Sequence, residues 1–130
     1  MSLNDPLSNV LSQINSYERV GKKELVTRNN SKVIKTVLSI MQDNKYLGSY
    51  EELKDAKGDL LRIHLLGNLN KTGVIKPRSS VKKETYEKFE KRFLPAKDFG
   101  IIIVSTSQGM MTHKDAKKKG LGGRLISYCY

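Results

Sequence analysis

The residues best suited to polar chemistry lie near the C-terminal end, in the run Ser105-Thr106-Ser107-Gln108-Gly109. Three small hydroxyls closed by a glycine form a turn with little bulk to pack. Hydroxyls donate and accept, so they serve base edges, ribose 2′-OH groups and phosphates alike. Further on, Gly120-Leu121-Gly122-Gly123 lacks the side chains that would hold a backbone away from a partner. Between the two lies the triplet Lys117-Lys118-Lys119, and Arg124 follows the glycines. Together these residues make a surface for touching a polyanion at close range, with cations on phosphate and hydroxyls on what phosphate does not distinguish.

Other chemistries have less support. Ser105 or Ser107 with His113 would make a nucleophile and base, but no Gly-x-Ser-x-Gly elbow surrounds either serine. His64 and His113 are the only histidines, and neither stands at a metal-ligand spacing from other donors. Cys129 is the sole cysteine, which excludes an intrachain disulfide and a cysteine zinc site, and its strand-like surroundings predict a small buried hydrophobe. Gly120 to Gly123 satisfies the bare GxxG of a KH clamp, yet that loop should join two helices and a strand follows here. No phosphate-binding Gly-x-x-x-x-Gly-Lys-Ser/Thr loop is present. The expectation is a protein with no catalytic role, metal, cofactor or small-molecule substrate. No apolar run approaches the ~20 residues of a membrane span. Residues 1–20 lack the pattern of a secretory signal, so the cytoplasm is the expected compartment.

Charge points the same way. The chain carries 24 Lys and Arg against 13 Asp and Glu, a net +11. Residues 1–45 contribute +3, residues 46–70 contribute −1 and residues 71–130 contribute +9. A gradient of this kind is the footprint of nucleic-acid binding.

The elements that must position these groups are legible in outline. Asp5 and Pro6 open a helix whose apolar face is Leu7, Val10, Leu11, Ile14 and Tyr17, closed by Gly21. Residues 23–28 read as a strand. Asn29-Asn30-Ser31 then caps a second helix with Val33, Ile34, Val37, Leu38 and Met41 inward. Residues 46–54 and 60–66 read as paired strands around a turn at 56–59; in the second, Leu61, Ile63 and Leu65 alternate with Arg62 and His64. The polar, glycine-flanked stretch 67–73 is the expected boundary. Beyond it come a strand at 74–76, with Pro77 marking an edge, and a helix over 84–93 with Tyr86, Phe89 and Phe93 packed as core. Ile101 to Val104 is apolar on both parities and predicts a strand buried on both faces. Thr112-His113-Lys114-Asp115 caps a short helix that Gly120 ends, and a last strand runs from Arg124 to Tyr130. The fold class is α+β in two small packed halves: residues 1–70 as an α-β-α-β-β unit, and residues 71–130 as a mostly antiparallel β unit with one helix and a short helical turn.

The run from Gly100 through Ser105-Thr106-Ser107-Gln108-Gly109-Met110-Met111 to Thr112, with Ala116, Gly120, Gly122 and Gly123 at their spacings, resembles the signature of the small-subunit ribosomal protein eight family. Asp5-Pro6-Leu7 and Ser31-Lys32 resemble the openings of that family's first two helices, and the likeness covers nearly the whole chain. The stretch 84–99 looks like archaeal or eukaryotic members. Bacterial members can carry a tyrosine near the position of Lys82, and this chain departs from them there. The resemblance implies direct binding to 16S-type ribosomal RNA, at an irregular central-domain helix with an internal loop, early in subunit assembly. Neighbouring small-subunit ribosomal proteins would be its other partners. It implicates Ser105, Thr106, Ser107, Gly122 and Gly123, with Asn4, Asp5, Pro6, Ser31 and Lys32 as further contacts. The helix N-terminus at Ser31-Lys32 is itself an anion site, and Lys117, Lys118, Lys119 and Arg124 complete the RNA-binding set. The alternatives are a stand-alone regulator of its own messenger, a role bacterial members also take, and a hydrolase built on Ser107 and His113.

Overall fold

The computed structural model describes residues 6–28, 31–55, 58–76, 78–96 and 99–130. The expected helix cap Asp5, the turn residues Asn29-Asn30 and Ala56-Lys57, the edge residue Pro77 and the segment Lys97-Asp98 lie outside them. Four helices and eight strands are seen among the described residues, an α+β arrangement in two compact units, Met1–Thr72 and Gly73–Tyr130.

In the first unit, α1 (Pro6–Arg19) buries Leu7, Val10, Leu11 and Ile14 at the three- and four-residue spacing that puts them on one stripe. Tyr17, expected on the same face, is only half-buried. The helix ends at Gly21, whose φ of +77° is left-handed. After β1 (Glu24–Thr27), Ser31 caps α2 (Lys32–Asp43) by accepting the Ile34 N–H at 3.3 Å. The buried stripe of α2 is Ile34, Val37, Leu38 and Met41. Val33, expected in that stripe, is 41% exposed, because it sits about 100° around the helix from Ile34.

β2 (Tyr50–Asp55) and β3 (Gly58–His64) complete an antiparallel sheet in the order β1-β3-β2. β2 starts later than the expected residue 46. The chain first wraps off α2, with Lys45 at φ +66° and the Tyr46 N–H on the Met41 carbonyl. As the alternation predicts, Leu61 and Ile63 are buried while Arg62 and His64 point the other way. α2 lies against the inner face, where Ser39 meets the Tyr50 hydroxyl at 3.3 Å and Lys35 pairs with Glu52. The stretch after β3 is held down: the Glu18 carboxylate accepts the N–H groups of Gly67 and Leu69, and Leu69 is buried.

In the second unit, β4 (Thr72–Val74), β8 (Gly123–Cys129), β6 (Ile101–Thr106) and β7 (Gly109–Thr112) lie side by side, and β5 (Ser80–Val81) also pairs with β8. All four of Ile101 to Val104 are buried, as is Cys129, whose thiol pKa burial pushes up. α3 (Tyr86–Phe93) begins two residues after the expected start, behind a turn in which the Thr85 N–H and hydroxyl both donate to the Lys82 carbonyl. Tyr86 is fully buried, with Phe89 and Phe93 packed on the same core as Val104, Leu125 and Met111. β5 and β7 are additions to the expected set. β5 is two residues long, and the Gly-Met-Met of β7 lacks the β-branched residues that mark a strand.

α4 (His113–Lys119) places its first residue in this core. His113 is 1% exposed; its Nδ1 accepts the Ile102 N–H at 3.0 Å and its Nε2–H donates to Glu90 at 3.3 Å. Protonating Nδ1 would break the first bond and charge a buried ring. Desolvation therefore pulls the pKa below the ordinary 6.5, with Lys117 and Lys114 in the same direction and Glu90 opposing. The folded state thus takes this proton at lower pH than the unfolded state. The stability it contributes is full above pH 6.5 and is lost as pH falls towards the lowered folded value. His113→Asn keeps an acceptor near Ile102 without the titration. Its urea midpoint should change less than the wild type's between about pH 7.5 and 5.5; equal changes would refute this role for His113.

Candidate nucleic-acid interface

β6 and β7 form a hairpin joined by Ser107 and Gln108, with Thr106 opposite Gly109 at φ +109°. Ser105 and Thr106, expected in a loop, are therefore the last residues of β6. Pairing with β7 on one side and β8 on the other carries the ladder through them. The Thr106 hydroxyl donates to the Gly109 carbonyl at 2.7 Å and accepts the Gln108 N–H at 3.1 Å, so it closes the turn. Ser105 is half-buried and Ser107 exposed, and neither hydroxyl has a partner among the described residues. Those two are the groups open to a ligand.

The register sets out a row. Ser105 lies opposite Met110 on β7 and Arg124 on β8, and Arg124 lies opposite Ser80 on β5. Directly paired residues share a face, so Met110, Ser105, Arg124 and Ser80 run side by side, the last two exposed. Ser80 had no signal in the sequence, since only strand pairing brings it here.

The glycine pair answers first to the protein's own backbone. A Cβ on Gly122 would lie 2.5 Å from the Val81 carbonyl oxygen and 3.2 Å from the Lys82 Cα. One on Gly123 would strike the Ser105 carbonyl, whose carbon would be 2.9 Å away. Bare glycines are what let β8 run this close to both β5 and β6. Gly122 nevertheless remains exposed, and its approach to β5 brings along Lys82 and Lys83, both exposed and neither counted among the expected contacts. Tyr86 anchors the segment by donating to the Leu121 carbonyl at 2.8 Å, and burial raises the phenol's pKa, which keeps that proton in place.

Thr112 caps α4 by accepting the Asp115 N–H at 3.2 Å. Gly120 closes it at φ +68°, with the Leu121 N–H on the Ala116 carbonyl and its own N–H on that of Lys117. Lys118 and Lys119 are exposed. Lys117 departs from the expected triplet: it falls one helical turn after His113, on the inner face, and pairs with the buried carboxylate of Glu90. The same cluster removes the hydrolase reading, because both nitrogens of His113 are engaged inside the core and neither is free to take a serine proton. Ser31 and Lys32 are exposed on the first unit, where the Ser31 hydroxyl already caps α2; Asn4 lies outside the described residues.

Among the described residues no three His, Cys, Asp or Glu side chains gather as a metal site, and no helix is long and apolar enough to cross a membrane. Compared with known families, the chain matches the model described as Ribosomal protein S8 over residues 5–130.

The two hydroxyls of the turn should separate in a stability measurement. Thr106→Ala should cost about 1 kcal/mol through the hairpin bonds it removes, and Ser107→Ala less than about 0.5 kcal/mol. Gly123→Ala should cost more than about 3 kcal/mol, since backbone has to move. Urea denaturation reads all three, and equal losses for Thr106→Ala and Ser107→Ala would contradict the assigned roles.

Proposed function

The chain belongs to the ribosomal protein S8 family, and from that premise we propose that it is a primary binder of the central domain of 16S-type rRNA. Membership makes it an rRNA-binding protein of the small ribosomal subunit, in a structural rather than an enzymatic family. In the finer reading, it docks the Ser105–Arg124 row and the Ser107 tip on an irregular helix with an internal loop, early in assembly and in the cytoplasm. The observation that carries this reading is the pair of unpartnered hydroxyls, Ser105 and Ser107, held at a sheet end beside an exposed arginine and exposed glycine backbone.

An A-form major groove is too deep and narrow for side chains to read, which leaves the shallow minor groove and displaced bases. Short hydroxyls on a rigid strand end suit that surface. Arg124, Lys118, Lys119, Lys82 and Lys83 add phosphate contacts, which position the protein without choosing sequence. The exposed N-terminus of α2 at Ser31 and Lys32 supplies a further anion site.

Footprinting on the protein's own small-subunit rRNA tests the whole reading: protection should fall on an irregular central-domain helix, and protection confined to other domains would end it. Ser105→Ala and Ser107→Ala should each cost about 1–3 kcal/mol in affinity for that RNA and much less for a scrambled one. Equal losses on both RNAs would remove the serines from recognition. Neutralising Lys118 and Lys119 should make the slope of log K against log salt shallower by roughly 0.7–0.9 for each phosphate left unneutralised. Lys117→Ala should change it less, because Glu90 already holds that charge. A slope indifferent to Lys118 and Lys119 would place the phosphates elsewhere.

A further inference from the structure

Four aromatic rings of the second unit form a row where β8 ends. Phe93 of α3 stacks on Tyr128 at 5.7 Å between centroids, Tyr128 stacks on Tyr130 at 6.3 Å, and Tyr130 meets Phe99 at 6.4 Å. These are separations at which rings attract. Two glycines make room for them. A Cβ on Gly73 would lie 3.0 Å from the Tyr128 hydroxyl, and one on Gly100 would lie 2.7 Å from the Tyr130 Cβ. Phe93, Tyr128 and Tyr130 pack their inner sides on the core around Tyr86, Ile102 and Leu125. Each is nevertheless only half-buried, and Phe99 is 49% exposed.

The charge beside the row is positive. The Arg92 guanidinium lies over the Phe93 ring at 5.4 Å, and one turn earlier Lys88 lies over Phe89 at 5.9 Å. Glu87 falls about 140° around α3 from Arg92, on the other flank, where it lines a cavity with Glu90 and Lys91. Rings with cations alongside are what single-stranded nucleic acid requires: bases stack on the rings while the cations follow the phosphates. We propose that Phe93, Tyr128, Tyr130 and Phe99, with Arg92 and Lys88, form a platform that stacks unpaired bases of single-stranded RNA. The platform is separate from the hydroxyl row. Tyr128 lies opposite Ile102, on the face that α3 packs against, whereas Ser105 has the other parity along β6. Tyr128 and Tyr130 also stand four and six residues past Arg124, roughly 13 and 20 Å along the strand. The proposal goes beyond the hydroxyl-row reading and does not depend on it.

The test is equilibrium binding of the full chain to a short oligouridine and to an abasic oligomer of the same length, which offers the phosphates without the bases. The wild type should bind the oligouridine at least about fivefold more tightly. Phe99→Leu with Tyr130→Leu should remove that preference and leave abasic binding within about twofold, since the cations are untouched. Phe99→Tyr should keep the preference. Equal affinity of the wild-type chain for the two oligomers would overturn the proposal. So would a preference that survives the leucines, because a merely apolar patch tolerates leucine where a stacking ring does not. Ser105→Ala with Ser107→Ala should leave both affinities within about twofold; a preference lost there would move the bases to the hydroxyl row and overturn the platform. An rRNA footprint outside the central domain, with the oligouridine preference intact, would count against the hydroxyl-row reading and not against the platform.

Discussion

The structure turns on how closely β8 is allowed to lie between its neighbours. Gly122 and Gly123 have no room for a side chain, because the carbonyls of Val81 and Ser105 occupy the space where a Cβ would stand. That contact sets the end of the β6–β8 ladder, with Thr106 opposite Gly123 and Ser105 opposite Arg124. Further along, Ile103 lies opposite Ser127 but Val104 opposite Leu125, so one residue is inserted into β8. Without that bulge the first register would carry Ser105 to Leu125 and Thr106 to Arg124, exchanging which hydroxyl shares a face with the arginine. Glycine closeness and bulge together therefore select Ser105 for the outward row and leave Thr106 to close the turn.

A second contact makes that arrangement stiff. His113 begins α4, yet it bonds the backbone of Ile102 in β6 and the carboxylate of Glu90 in α3, which in turn holds Lys117. Three elements meet on one buried imidazole, in a tautomer that the Ile102 N–H dictates. Tyr86 repeats the device from α3 to the Leu121 carbonyl. Burying a carboxylate is costly when it stands alone, and two donors from α4 offset that cost here. The helical turn that presents Lys118 and Lys119 is thus tied to the strand that presents Ser105. Preorganisation of this kind lowers the ordering cost when a charged ligand arrives.

Local signals carried far. The stripes of α1 and α2, the Ser31 and Thr112 caps and the Gly120 stop each depend on residues within a turn of one another, and all were legible. So was the buried run of β6. Features set by partners distant in sequence were not. β5 exists because Gly122 admits it, β7 has little strand propensity of its own, and Ser80 joins the row only across β8. Lys117 looked like its two neighbours because nothing nearby reveals that Glu90 waits on its side of the helix. The glycine pair was legible as a motif, but its first duty, to its own backbone, was not.

The distribution of charge bears on the proposed docking. A uniformly basic surface would hold RNA in many poses, since phosphate contacts carry no sequence information. Here residues 71–130 carry +9 of the chain's +11. On the proposed reading the two serine hydroxyls decide among those poses, because an unpaired hydroxyl at a closed interface costs more than a misplaced surface lysine. On that reading specificity falls to Ser105 and Ser107, and the strand end that carries them depends on two glycines that have no room for a side chain.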